Sequence, residues 1–251
     1  MRKGIYILPN LLTMSGMFFG FYSIIASIKG DFERAAWAIL IAAIFDAMDG
    51  WVARMTKTTS RFGVELDSLS DLVSFGVAPA LMFYMWALVP FGRLGWVGAF
   101  LFAACGALRL ARFNVQMVGS EKKHFTGLPI PGGAAVLATT VIFFGYLQEN
   151  KVIAPFSDGR NWLFLVMTYV VAVLMISTIK FHSLKELNVR DRRPFWMLLV
   201  AVVIIVAVAI HPPIVLFAIS VVYVVWAILE FLLTFKKRRA KIRGERASTK
   251  S

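Results

Sequence analysis

Four aspartates stand in two pairs at the edges of long apolar runs: Asp46 with Asp49, and Asp67 with Asp71. Asp46 and Asp49 close the run from Ala35 to Phe45, and Asp67 and Asp71 open the run from Leu72 to Val89. On a helix, residues three or four apart project from one face, so each pair aims its oxygens in one direction. A short polar loop, Thr56 to Arg61, joins the runs and can bring the two faces together at one membrane edge. Carboxylates gathered beside hydrocarbon are costly and repel one another, so such a cluster requires protons or a cation. An all-oxygen donor set with no neighbouring His or Cys suits a hard ion, Mg²⁺ or Mn²⁺, better than Zn²⁺. Shared carboxylates can also bridge an ion pair that clamps a phosphoryl group. Gly50 leaves room for a ligand to approach the backbone. Arg54, one turn further on, offers a planar donor fork to a phosphate oxygen. A competing reading makes these aspartates helix caps and surface charges, and Asp67 alone could cap a helix start. Four carboxylates inside so apolar a chain favour a site.

The elements that must position them follow from composition. The chain has 251 residues, 59% of them hydrophobic and 16% charged, with a mean hydropathy of +0.74. That is well above the apolar content of soluble domains and indicates a polytopic membrane protein. Residues 1–235 read as one transmembrane domain with a core near 9–185, and Lys236 to Ser251 as a basic cytoplasmic tail. The net charge of +13 reads as loops facing anionic membrane lipid and argues against a nucleic-acid partner. Cys105 is the single cysteine, which excludes an intrachain disulfide. His124, His182 and His211 are scattered and have no metal-ligand spacing.

The fold class is all-α: a membrane helix bundle of about eight transmembrane helices with both termini cytoplasmic. The expected spans are Leu11 to Ile28, Ala35 to Met55, Leu66 to Val89, Gly95 to Val115, a fifth after Pro131 ending near Tyr146, Trp162 to Ile179, Pro194 to Ile210, and Ile214 to Phe235. Runs of this length suit the hydrocarbon thickness, and no alternating barrel pattern is present. Arg2 and Lys3 before an apolar run could also begin a signal peptide, but too many spans follow for that reading to be preferred. With the N-terminus in the cytoplasm, only Lys29, Arg34, Arg93, Lys151 and Arg160 of the 27 Lys and Arg fall outside. This asymmetry favours that orientation and puts the acidic cluster on the cytoplasmic side of the cell membrane. Gly16 and Gly20 form a small-xxx-small pair for close helix approach, and Gly145 reads as a packing residue. Asn10, at the start of the first span, reads as a helix cap. Arg109 and Arg112, at i,i+3, could together hold a phosphate or a substrate carboxylate, or could snorkel to headgroups.

The pattern Asp46-x-x-Asp49-Gly50-x-x-Ala53-Arg54, then Gly63-x-x-x-Asp67-x-x-x-Asp71, resembles the complete signature of the CDP-alcohol phosphatidyltransferases. The resemblance implies that Asp46, Asp49, Asp67 and Asp71 hold two divalent ions, Mg²⁺ or Mn²⁺, and that Asp71 is also the general base. It places Gly50, Ala53, Arg54, Ser60 and Gly63 at the nucleotide and diphosphate of CDP-diacylglycerol. The Pro9-Asn10-x-x-Thr13 segment is similar to one the family holds near the nucleotide. A homodimer is implied as well.

The signature fixes a reaction class and leaves the acceptor open. Arg109-Leu-Ala-Arg112-Phe-Asn114 and Phe125-x-Gly127-Leu128-Pro129-x-Pro131 resemble the phosphatidylserine synthases of the family, which implies L-serine as acceptor. Gly132-Gly133 and the last two spans depart from the family pattern. The alternatives are a phosphatidylglycerophosphate synthase using glycerol 3-phosphate and, in another class, a divalent-cation transporter with the carboxylates as its pathway.

Overall fold

The computed structural model describes residues 7–56, 60–118, 127–152, 162–177 and 194–226, and every regular element among them is helical. The chain opens with α1 (Ile7–Ile28) and α2 (Phe32–Thr56). A third rod, Arg61–Phe91, follows. It comprises α3 (Arg61–Asp71), a π-helical stretch Leu72–Val77, α4 (Ala78–Phe83), a second π stretch Tyr84–Leu88 and a 3₁₀ turn. Then come α5 (Arg93–Val118), α6 (Ile130–Glu149), α7 (Trp162–Ile176) and α8 (Pro194–Ile210). The last described helix, α9, spans Pro212–Trp226.

Among the described residues, five helices are long and apolar enough to cross a membrane: Ile7–Ile28, Phe32–Thr56, Arg61–Phe91, Arg93–Val115 and Ile130–Glu149. They coincide with the first five expected spans. The ends of the sixth and eighth expected spans lie outside the described residues, as do the middle of the Thr56–Arg61 loop, most of the 116–128 loop, the basic 180–193 segment and the 236–251 tail.

Burial on α1 is inverted relative to a helix of a water-soluble bundle. On α1 the buried residues are small or polar, including Thr13, Gly16, Gly20, Ser23 and Ser27. Leu11, Met14, Phe18 and Phe21 of the same helix are exposed. Without a hydrophobic drive between helices in lipid, small residues that let backbones approach supply the packing energy. Gly20 shows the consequence. A Cβ there would stand 2.6 Å from the Ser74 Cα, so α1 and the third rod touch backbone to backbone. Two hydroxyls stitch the same seam. Ser70 Oγ donates to the Thr13 carbonyl at 3.1 Å, and Ser74 Oγ to the Gly16 carbonyl at 3.2 Å.

The large side chains fill the centre instead. Phe75, Phe83, Phe102, Phe164 and Ile130 are fully buried. Ile130, the first residue of α6, sits against Gly106 of α5 and Gly76 of the third rod. Ahead of it, Gly127 adopts φ +88° directly over the carbonyls that end α7. Any side chain there would be strained and obstructed. The Leu128 N–H then donates to the Leu174 carbonyl at 3.0 Å, which anchors the start of α6 on the end of α7.

One expectation is overturned here. Gly145 is not a packing residue, because a Cβ on it would meet nothing within 4 Å. It lines an open groove with Phe32, Trp86 and Val141 at the end of the bundle remote from the aspartates.

Gly20→Ala should therefore cost about 1–3 kcal/mol of overpacking, whereas Gly145→Ala should be close to neutral. Thermal unfolding in detergent is expected to show a Tm lowered by several degrees for Gly20→Ala alone. Equal melting of the two variants would contradict the backbone contact at the α1 seam.

Candidate active site

The helices alternate in direction, so one end of the bundle collects the start of α1, the end of α2, the start of the third rod, the end of α5 and the start of α6. The expected site residues Asn10, Thr13, Asp46, Asp49, Gly50, Ala53, Arg54, Ser60, Gly63, Asp67, Asp71, Arg109 and Arg112 lie on or next to these ends. The carboxylate oxygens of Asp46, Asp49 and Asp67 come within 4.8 Å of one another. Asp71 completes the group. Its carboxyl is a hydrogen-bonding neighbour of Asp46 and senses the charges of Asp67 and Asp49. The four line one tight cleft together with Thr13 and Ser70.

Asp49 is the least exposed of the four, at 6%. A buried carboxylate needs donors, and Thr13 Oγ1 supplies one to Asp49 Oδ2 at 2.6 Å. The third rod widens into π-helical turns directly after Asp71, a feature that often accompanies functional sites.

The helix-cap reading of the aspartates is not what the structure has. Asp67 lies inside α3, and the N-cap is Ser60, with φ −122° and ψ 154°. Its Oγ accepts from the Gly63 N–H at 3.0 Å, satisfying one of the orphan donors of the first turn. Asn10 is not a cap either, because α1 already begins at Ile7. Its Oδ1 instead faces Gly63, 3.3 Å from where a Cβ would stand, beside Ser60 Oγ at 3.2 Å. Asn10, Ser60 and Gly63, remote in sequence, thus form one polar corner. The exposed Arg54 side chain lies over Gly50, with Nη1 3.5 Å from the site of a Cβ. Ala53 is half-buried in the same turn.

The structure separates the two arginines that sequence spacing placed on one face. Arg109 is turned inward. Its Nε is buried with no hydrogen-bond partner among the described residues, and its guanidinium interacts electrostatically with Asp71. Arg112 is exposed. Three residues advance a helix by less than a full turn, enough here to put one arginine inside and the other at the surface. Asn114, in the same segment, donates to Ser68 Oγ at 2.9 Å and ties the end of α5 to α3.

Sequence reading missed Ser70 and Ser74. Their i,i+4 spacing opposite Gly16 and Gly20 was an available signal, because it is a second small-residue stripe. It also missed Tyr223 of α9, which interacts electrostatically with Arg109. No local pattern marks that residue.

Converging hard oxygen donors fit a divalent cation of the Mg²⁺ or Mn²⁺ kind, and the cluster could hold one. A profile of the CDP-alcohol phosphatidyltransferase family matches residues 6–178, and the chain belongs to that family. Among its relatives is the CDP-diacylglycerol–serine O-phosphatidyltransferase of Helicobacter pylori, 40% identical over 185 residues, which cover 73% of this chain and 75% of the relative. The Mycobacterium tuberculosis protein of the same name is 31% identical over 232 residues, covering 88% and 78%. The archaetidylserine synthase of Methanothermobacter thermautotrophicus is 42% identical over 176 residues, covering 69% of each chain.

Thr13→Val removes the hydroxyl that orients Asp49 and nearly preserves shape. Outer partners of metal ligands are worth roughly 10–100-fold in affinity, so Mn²⁺ binding, followed by EPR titration, should weaken by about that factor. Unchanged affinity would show that Thr13 does not orient a ligand.

Proposed function

We propose that this enzyme transfers the phosphatidyl group of CDP-diacylglycerol to L-serine, giving phosphatidylserine and CMP. The observation that carries the reading is the convergence of Asp46, Asp49, Asp67 and Asp71, with the inward-turned Arg109 in electrostatic range of Asp71. The names of the Helicobacter and Mycobacterium relatives support serine as acceptor.

CDP-diacylglycerol lies with its acyl chains against the exposed apolar helix faces and its cytidine diphosphate at the polar corner of Asn10, Ser60 and Gly63. Thr13, Gly50, Ala53 and Arg54 border that position. Asp46, Asp49, Asp67 and Asp71 would hold Mg²⁺ or Mn²⁺, two ions in the fullest arrangement. When bound, the metal would offset the charge of the diphosphate and of the phosphate that leaves. Arg109 holds the carboxylate of serine and sets its hydroxyl next to Asp71, with the exposed Arg112 drawing the anion in from solvent. Asp71 takes the hydroxyl proton as the serine oxygen forms its bond to the lipid-linked phosphorus. The bond from that phosphorus to the CMP oxygen breaks, and CMP departs with the electron pair. Arg54 stabilises the charge that develops on the leaving phosphate. An ordinary Asp is a weak base, but proximity and a good leaving group make it sufficient.

The setting we infer is a cell-membrane protein of about eight spans with both termini cytoplasmic, acting as a homodimer. Its site opens to the side where serine and divalent ions are available. The basic 236–251 tail rests on anionic membrane lipid.

The test is an acceptor series on purified protein in detergent with CDP-diacylglycerol and Mg²⁺ or Mn²⁺, following CMP and the lipid product. Serine is expected to support turnover and glycerol 3-phosphate and inositol phosphate not to. Turnover with another acceptor alone would overturn the serine assignment. CMP release with none, from folded protein, would favour cation transport and a flux assay. Asp71→Asn should lower kcat by at least about 100-fold while retaining part of the Mn²⁺ binding. Normal turnover in that variant would remove Asp71 as base.

A further inference from the structure

The family match ends at residue 178, and α9 lies beyond it. It is nonetheless keyed onto α6 along its length. Ser220 Oγ and Thr139 Oγ1 are buried together at 2.7 Å. The rings of Phe217 and Phe143 stack at 4.4 Å with 4° between their planes. Nearer the aspartates, the Tyr223 ring covers Gly132, its Cε1 3.4 Å from where a Cβ on Gly132 would stand. These contacts fix α9 antiparallel to α6 and set its register. They deliver Tyr223 to the end of the bundle where α6 begins, and there it interacts with Arg109. Arg109 also feels the charge of Asp71 and keeps a buried Nε without a partner among the described residues. A buried guanidinium nitrogen left unsatisfied is costly, and a ligand that accepts from it removes the cost. Within the Gly132-Gly133 step the close approach is at Gly133, where a Cβ would press on Met175 and Val171 of α7, whereas one on Gly132 would make ordinary contact with the Tyr223 ring.

We propose that Tyr223 belongs to the acceptor pocket, standing beside Arg109 and donating its hydroxyl to the anionic group of the small acceptor alcohol that Arg109 holds. The inference rests on the phosphatidyl-transfer reading above. It gives the last described helix a part in acceptor selection, with the ligand class a hydroxyl compound bearing a carboxylate or a phosphate.

Tyr223→Phe keeps the ring and its packing and removes only the hydroxyl. Loss of a hydrogen bond to a charged group should raise the KM for serine by about tenfold. The KM for CDP-diacylglycerol and the Tm should be unchanged. Ser220→Ala is the structural control: it loosens the clasp on α6 and should lower the Tm without a selective change in acceptor KM. An unchanged acceptor KM in Tyr223→Phe, equal rises for both substrates, or a selective rise in Ser220→Ala would each overturn the inference. If glycerol 3-phosphate replaces serine as the working acceptor, the serine assignment fails. The same selective rise measured on glycerol 3-phosphate would still uphold Tyr223. A wild-type protein that releases no CMP with any acceptor overturns both.

Discussion

Mutual repulsion of carboxylates in a poorly solvated cleft is the constraint on which the rest of this structure depends. Asp46, Asp49 and Asp67 bring oxygens within 4.8 Å of one another, and Asp71 adjoins Asp46. No arrangement of that kind is stable as four bare charges, so the fold must hold the side chains together against their repulsion until a cation or protons compensate. The small-residue seam between α1 and the third rod does the holding. Gly16 and Gly20 allow backbone contact, Ser70 and Ser74 lock it with hydrogen bonds, and Thr13, on the same stripe, turns its hydroxyl to Asp49. One face of α1 therefore serves packing and ligand orientation at once.

The bundle gathers the four aspartates and their polar neighbours at one end and turns large apolar side chains outward around its girth. Because the helices alternate, the end of α2 meets the starts of α1 and of the third rod, and residues as distant in sequence as Asn10, Ser60 and Arg109 share one rim. An amphiphilic substrate fits such a plan, with chains in lipid and a charged headgroup at the rim. Arg54 and Arg109 lie on different helices, the first acting electrostatically on Asp49 and the second on Asp71, which suits them to different anionic groups.

Much of this was legible in the sequence, for definite physical reasons. Helical periodicity makes Asp46/Asp49 and Asp67/Asp71 two coherent pairs, and apolar run length predicts the first five spans, which the helices match closely. What escaped depends on tertiary detail that periodicity does not carry. Asp67 and Ser60 are both plausible caps by residue type, and only the helix start at Arg61 decides for Ser60. Arg109 and Arg112 look equivalent at i,i+3, but the edge of the buried face falls between them. Gly145 resembles the packing glycines, yet its side of α6 faces open space. Tyr223 carries no motif at all. Its place follows from the α6–α9 register, which the Ser220–Thr139 and Phe217–Phe143 contacts set.

The central claim is that the four aspartates act together to bind divalent cations. Mn²⁺ binding to purified protein, measured by EPR for the wild type and for Asp46→Asn, Asp49→Asn, Asp67→Asn and Asp71→Asn, tests it most directly. The account predicts saturable binding that each of the four substitutions weakens, with the folded state retained. Absence of Mn²⁺ binding by the wild type, or full binding in any one of the four variants, would contradict it.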